Sequence, residues 1–405
     1  MQKGLKKSAV MMVLLVLLLI GSAVPAFAQD LPEPFCGALP EDDCAILSSS
    51  QESMLEIGSG VYNSEIDFMV AGIPGLPVEE ISFNLTQDAT YSLNPELAVQ
   101  LAEMQSMAPE EMMANMEEMF DLLLELYGTL GYDGEMTLTM PEDVAALLSA
   151  QANTQIPEEI HLQIRVVDGY GYLNLEDLAA FSPEAEGLEG WAGIDILTLM
   201  QMGLQESMQQ GAMDPSQMGS MAGFGVGNLL NSEEGRAMIE PYISVERLRD
   251  TTVDGQDAAV FESTFNVGTF VASPLFRDLV LSQLDTINQL SETDLTEQEV
   301  TEMLTMLSFV GPMLFTGLDL HTTQTIGLED FYVYQDEFVF AWDLSSLVGV
   351  ARMVDSDGSM GLSTMLGDVA PVLNLELTTV ASEHNTAPEI TAPENAQIIP
   401  LEALQ

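Results

Sequence analysis

Basic residues are scarce in this chain. Nine lysines and arginines stand against 64 aspartates and glutamates, which gives a formal net charge of −55. All three lysines lie at the N-terminus, at Lys3, Lys6 and Lys7, and without them the charge is 6 − 64 = −58. So negative a chain repels phosphate backbones and anionic lipid surfaces, which excludes nucleic acids as partners. A salt-rich or acidic exterior and a lineage-wide acidic bias both explain the acidity.

The residue types that carry catalysis are equally sparse. The absence of lysine after Lys7 excludes Schiff-base and phosphate-loop lysine chemistry. The three histidines, His161, His321 and His384, lie far apart, and two of them fall in predicted strands, where a sheet-surface position is the simpler interpretation. No Gly-x-Ser-x-Gly motif occurs. We therefore expect no enzyme activity, no metal site and no cofactor.

Only two cysteines are present, Cys36 and Cys44. In an exported chain, two cysteines this close together predict a local disulfide that closes a small loop. The alternative is a pair of free, buried thiols.

Long hydrophobic runs are confined to the N-terminus. The three lysines precede an apolar run from Ala9 to Ile20 and then Ala26-Phe27-Ala28, which is the pattern of a cleaved secretory signal. No second run of about eighteen or more apolar residues follows, so no integral membrane segment is expected after cleavage. The pattern predicts a mature chain of Gln29–Gln405, or 405 − 28 = 377 residues, that is secreted to the extracellular space or the cell-envelope exterior.

The composition of the mature chain predicts four segments. Residues 1–28 are the signal, 29–50 an acidic, Pro-rich and exposed leader, 51–390 a single domain, and 391–405 a Pro-rich tail. Two similar halves, 51–240 and 241–390, are one interpretation of the pattern within this domain. A short helix is expected at 51–62, and the Gly- and Met-rich stretch 211–228 is the candidate for a mobile lid.

The halves share a strand–helix–helix–strand pattern. In the first half, alternating strands lead to Asn94-Pro95, which opens a helical region that returns to a strand at Met136–Met140. In the second, the hairpin Tyr242–Asn266 leads to helices after Ser273-Pro274 and Thr296, then to a strand at Leu318–Ile326. Thr90–Pro95 aligns with Thr269–Pro274, each read as a strand leading into a helix. The pattern predicts an α+β fold built on an antiparallel sheet.

Apolar side chains recur at three- and four-residue spacings in these helices, and many of them are methionine. Methionine is unbranched and polarizable, so it adapts to ligands of irregular shape such as acyl chains. Lining of a ligand cavity and filling of a solid core explain these apolar, methionine-rich helices equally well. The candidate lining residues are Leu101, Met104, Met116, Met119, Phe120, Leu123, Phe276, Leu279, Leu284, Ile287, Met303 and Leu307.

Short motifs occur at Trp191–Asp195, at Val253-Asp254-Gly255 with Ala259–Phe261, and in the closing segments Ser382–Asn385 and Ile390–Ala396. They resemble motifs of the LolA/LppX-like (LppX/LprA/LprF/LprG-type) lipoprotein carriers. The resemblance implies a strongly curved antiparallel sheet, or half-barrel, with apolar helices packed in its concave face and acyl chains held between them. The lipidation cysteine of many relatives is missing.

These patterns lead to a functional hypothesis and two alternatives. The favoured hypothesis is a secreted, non-catalytic binding protein for a lipid or other hydrophobic small molecule. One alternative is a cell-surface structural or interaction protein without a ligand cavity. The other is a hydrolase with dispersed catalytic residues.

Overall fold

The computed structural model describes residues 34–72, 78–106, 115–152, 155–178, 189–202, 233–282, 284, 288, 296–346, 348–349 and 371–400. The predicted signal and the 211–228 segment lie outside these residues. The helices are α1 (Glu41–Leu55), α2 (Pro95–Ser106), α3 (Met116–Thr129), α4 (Glu142–Ala152), α5 (Leu175–Leu178), α6 (Glu233–Ile239), α7 (Val267–Val271), α8 (Pro274–Ser282) and α9 (Glu297–Leu314). Residues 196–202 are also helical.

The strands are β1 (Ser59–Ala71), β2 (Glu80–Ser92), β3 (Gly131–Thr139), β4 (Glu159–Val167), β5 (Tyr170–Asn174), β6 (Trp191–Asp195), β7 (Ile243–Arg247), β8 (Thr251–Val253), β9 (Gln256–Phe265), β10 (Leu318–Gly327), β11 (Val333–Asp343), β12 (Val372–Ser382) and β13 (Gln397–Ile398). They form one 13-stranded sheet in the order β13-β6-β5-β4-β3-β2-β1-β12-β11-β10-β9-β7, with β8 paired to β9. All neighbours pair antiparallel except β13 and β6. The predicted α+β fold with an antiparallel sheet is confirmed.

The sheet is continuous because β1 pairs with β12 at its centre. This pairing runs from Val61 opposite Ser382 to Ala71 opposite Val372. In each half, helices connect two adjacent antiparallel strands: α2 and α3 lie between β2 and β3, and α7, α8 and α9 lie between β9 and β10. The shared strand–helix–strand plan is thus present, while the division into two similar halves of one domain stays a prediction.

The N-terminal part of the described chain packs on the sheet. Cys36 and Cys44 form the predicted disulfide, with their Cα atoms 5.4 Å apart. Helix α1 begins at Glu41, and its Leu47 is buried against Phe261 and other side chains of β7, β9 and β10. The prediction of an exposed leader is therefore wrong from residue 41 onward. The helix expected at 51–62 begins ten residues earlier and ends at Leu55, and residues 59–62 belong to β1 instead. The carboxylates of the first turn favour this start, because they lie at the positive end of the helix dipole.

The second helical connection begins earlier than expected. Residues 267–271 are helix α7, where the alignment with Thr90–Pro95 predicted the end of a strand. The side chain of Asn266 accepts a hydrogen bond from the Thr269 backbone N–H at 2.9 Å and so caps α7. Pro274 then begins α8 as predicted, and Thr296 and Glu299 form the predicted capping box of α9.

The C-terminal segment is tied to the first half of the sheet. β13 lies parallel to β6, with Gln397 opposite Ala192. The Arg165 guanidinium donates to the Thr391 carbonyl at 2.9 Å and to Asp133 at 2.6 Å. The predicted Pro-rich tail thus contributes an edge strand.

Candidate functional site

The sheet has one apolar and one acidic face. Strand residues alternate between faces, and the cross-strand register fixes which residues share a face. Phe68, for example, is opposite Phe83 on one side and Leu375 on the other, whereas the next residue pair places Asp67 opposite Asn84 and Glu376. The same alternation continues through β11 and β10.

The apolar face is closed at one end of the central strands. Tyr62, Ala89 and Tyr132 are buried there in a core that includes Ala98 of α2 and extends to Ile164 of β4. On the other half of the sheet, α1 covers Ala259 and Phe261 of β9 together with Ile326 of β10. At this end the helices leave little of the face exposed.

Toward the other end, the same face is only half-buried. We call this surface the apolar floor. It comprises apolar side chains of intermediate exposure on five adjacent strands: Ile66, Phe68, Val70, Ile81, Phe83, Leu85, Leu318, Leu320, Phe338, Phe340, Trp342, Leu373, Leu375 and Leu377. So large an accessible surface of Leu, Ile and Phe, next to a helix-covered core, is where a hydrophobic ligand would bind.

Helices border the apolar floor at two places. Val144 and Ala145 of α4 pack with Ile81 and Phe83 at one side. At the other, the ring of Phe315, just after α9, stacks on Trp342 with centroids 5.2 Å apart. The floor therefore lies between α4 and the end of α9.

The predicted lining residues on α3 lie in a small interhelical core. Met119 is buried with Leu97, Leu122 and Leu126, and Phe120 and Leu123 pack against them partly buried. For Leu101, Met104 and Met116 only the backbone is described, and Ile287 lies outside the described residues. The lining role of these residues stays a prediction.

The predicted lining residues of the second half differ in how far their side chains are exposed to solvent. Phe276 is half-buried and packs edge-on to Phe270, with centroids 5.4 Å apart. Leu279, Leu284 and Leu307 have intermediate exposure. Met303 is 45% exposed, while Val300 and Leu304 on the same helix are buried. A lining role for these residues also stays a prediction.

A line of polar side chains, which we call the polar row, crosses the apolar face at the inner edge of the apolar floor. Cross-strand register places Gln87 opposite Ser64, Ser64 opposite Thr379, Thr379 opposite Asp336, and Asp336 opposite Gln324. With strands about 4.8 Å apart, the row spans roughly 19 Å. The floor begins two residues further along each strand, at Ile66 on β1 and Leu377 on β12, because the residue in between lies on the acidic face.

The polar row is internally hydrogen-bonded at one end. The Gln87 side-chain amide donates to the hydroxyls of Tyr62 at 3.1 Å and Tyr132 at 2.7 Å. The hydroxyls of Ser64 and Thr379 are 2.8 Å apart. Burial raises the pKa of both tyrosines, which keeps their hydroxyls neutral.

Asp336 is the exception in the polar row. Its Oδ1 atom is buried and has no hydrogen-bond partner. Burial raises the pKa of the carboxyl, against the opposing effect of a hydrogen bond from Gln324. The sequence reasoning missed both row and floor, although the alternation of Phe338, Phe340 and Trp342 could have indicated the apolar face.

Metal-ligating side chains are not clustered in the described part of the chain. No group of three or more His, Cys, Asp or Glu side chains within these ranges could hold a metal ion. His161 pairs with Glu135 at 2.7 Å and His321 with Asp319 at 2.8 Å.

No single helix in the described part of the chain is long and apolar enough to span a membrane, but the bent pair Glu297–Phe309 and Gly311–Gly317 reaches that length and composition together.

No protein-family model and no curated protein sequence matches the chain. Among solved structures, it is similar to the lipoprotein LppX of Mycobacterium tuberculosis, with 8% identity, a TM-score of 0.25, and 86% of this chain and 97% of LppX covered. It is also similar to LprF from Mycobacterium bovis, with 10% identity, a TM-score of 0.30, and 88% and 98% of the two chains covered. Both matches cover most of the two chains that they compare.

Proposed function

We propose that this protein is a secreted, non-catalytic binding protein for a lipid or other hydrophobic small molecule. The observation that carries the proposal is the apolar floor, a half-exposed surface of large aliphatic and aromatic side chains on one face of an otherwise acidic sheet. The Cys36–Cys44 disulfide supports export, because such bonds form and persist in oxidising compartments.

The size of the apolar floor suits a long hydrocarbon chain. Along β1, β2, β11 and β12 it covers three successive residues of one face, and along β10 it covers two. Each such step is about 6.8 Å, so the floor extends roughly 14 Å from its first to its last Cα on the four longer strands. Removing about 200 Å² of this surface from water would stabilise a complex by roughly 5 kcal/mol at ~25 cal/mol per Å². No charge on the ligand is needed for binding of this kind.

The test is direct titration of the purified protein with the fluorescent hydrophobe N-phenyl-1-naphthylamine, after extraction with organic solvent. We expect saturable fluorescence enhancement and, by mass spectrometry of the extract, release of a co-purifying hydrophobic molecule. Phe340→Ser and Leu375→Ser, at the centre of the apolar floor, should each weaken binding of the dye.

The matched control is Val339→Ser, which changes the neighbouring residue on the opposite face of β11. It should bind the dye as the wild type does. If no variant and no wild-type sample binds the dye, the proposal is wrong, and the result favours a structural or interaction protein without a ligand cavity.

A further inference from the structure

The polar row lies where a ligand on the apolar floor would end. The described part of the floor extends toward the tips of the central strands and is bounded on its inner side by the row. A hydrocarbon chain laid along the strands therefore places its innermost group against Ser64, Thr379 and Asp336. That group meets hydrogen-bonding atoms instead of apolar side chains.

Most hydrogen-bonding groups of the polar row already have partners. Gln87 is bound to two tyrosine hydroxyls, and Ser64 and Thr379 bind one another. Asp336 Oδ1 is the acceptor left over within the described part of the row. A buried acceptor without a donor is costly, and native structures rarely leave one in that state.

The chemistry of the polar row selects among ligands. A carboxylate or phosphate group on the ligand would find no lysine or arginine in the row to balance its charge, and an ionised Asp336 would repel it. A wholly apolar ligand would leave Oδ1 without a donor. A hydroxyl group donates one hydrogen bond to Oδ1 and adds no charge, so it meets both constraints.

We propose that the polar row binds the hydroxyl end of a neutral, long-chain amphipathic ligand, such as a long-chain alcohol or an acylglycerol, with Asp336 Oδ1 accepting a hydrogen bond from the hydroxyl. The proposal rests on the proposed function, because the ligand's chain lies along the apolar floor. It adds the class of ligand, hydroxylated and uncharged, and the residue that selects it. A hydroxyl bound to the carboxylate also offsets the cost of burying that group.

Two ligands of nearly equal length test the proposal: 1-dodecanol and dodecyl methyl ether, which lacks the hydroxyl proton. Each is titrated against the protein loaded with N-phenyl-1-naphthylamine, and its dissociation constant follows from loss of fluorescence. We expect the wild type to prefer the alcohol by on the order of tenfold, the effect of one hydrogen bond. Asp336→Leu should bind the two ligands equally and keep the wild-type affinity for the ether.

The control is Glu337→Leu, which removes a carboxylate from the opposite face of the same strand and should retain the preference. Asp336→Asn keeps a carbonyl acceptor and the shape of the side chain, so it should show an intermediate preference even if the leucine variant folds poorly. Equal affinities for alcohol and ether in a wild type that binds the dye would overturn this inference and leave the proposed function standing. Failure of all three molecules to bind would overturn the proposed function itself.

Discussion

The side-chain amide of Gln87 donates a hydrogen bond of 2.7 Å to the hydroxyl of Tyr132, a residue 45 positions further along the chain. The same amide nitrogen reaches the hydroxyl of Tyr62 on the other neighbouring strand at 3.1 Å. Gln87 thus joins β1, β2 and β3 at the boundary between the closed core and the apolar floor.

The Gln87 network should be a main determinant of stability in the first half. Gln87→Leu removes the donor that two buried hydroxyls share, and we expect a loss of about 1–3 kcal/mol in the free energy of unfolding. Urea denaturation followed by circular dichroism measures this loss. In a Tyr62→Phe/Tyr132→Phe background the same change should cost less, because no hydroxyl loses a partner. A single Gln87→Leu variant as stable as the wild type would contradict the prediction.

His384 should make the fold sensitive to acid. Its ring lies 4.7 Å from that of Tyr332 and 5.2 Å from that of Tyr334, centroid to centroid. Burial lowers the pKa of His384, and a backbone hydrogen bond with Val333 and the charge of Asp330 oppose this shift without reversing it. The unfolded chain therefore takes up the proton more readily than the folded protein does.

It follows that the stability contributed by neutral His384 is present above its unfolded pKa of about 6.5 and is lost as the pH falls through its lower folded pKa. His384→Phe keeps an aromatic ring between the tyrosines but does not titrate. Between about pH 7 and about pH 5, we expect the wild type to lose more stability than this variant, measured by urea denaturation at each pH. Parallel stability curves for the two proteins would show that His384 does not couple folding to pH.

Loss of the disulfide should destabilise the protein, because the unfolded chain gains conformational freedom when the cross-link is removed. The loop from Cys36 to Cys44 spans a sequence separation of 8, and closing a loop this short is worth about 2.5 kcal/mol in the chain-entropy model. We expect Cys36→Ser/Cys44→Ser to lose about that much stability in chemical denaturation. The wild type treated with a reductant should behave like the double variant, and a wild type unaffected by reduction would argue against the prediction.

Methionine oxidation should follow exposure along α9. Met306 and Met313 are 58% and 51% exposed, whereas Met136 and Met140 in and beside β3 are 5% and 6% exposed. Dilute hydrogen peroxide should therefore convert the first two to sulfoxide before the second two. Peptide mass spectrometry over a time course gives the order. Oxidation of Met136 at the rate of Met306 would mean that the β3 core opens readily.

Local patterns in the sequence predicted much of the secondary structure because they are read within a few residues. Ser273-Pro274 and Thr296-x-x-Glu299 mark the starts of α8 and α9, since helix caps use adjacent backbone and side-chain atoms. The same local reasoning failed at 267–271. Val, Thr and Phe there favour a strand by propensity, but the Asn266 cap starts α7 instead.

The apolar floor was predictable only in part. Alternation along β11 and β12 indicates that each strand has one apolar side, but not which other strands share it. Ser64 and Thr379, whose hydroxyls meet at 2.8 Å, are 315 positions apart in the chain. No local pattern relates two residues so distant.

The sequence by itself determined the extreme acidity of this protein, its disulfide, the alternating strands and the apolar helices, because these depend on composition and on neighbours along the chain. Only the tertiary structure decided that β1 pairs with β12, and this pairing fixes the register of the central strands. That register places Ser64, Thr379 and Asp336 in one row and the large apolar side chains beyond them in one floor, because a shift by a single residue would have sent each of these side chains to the opposite face.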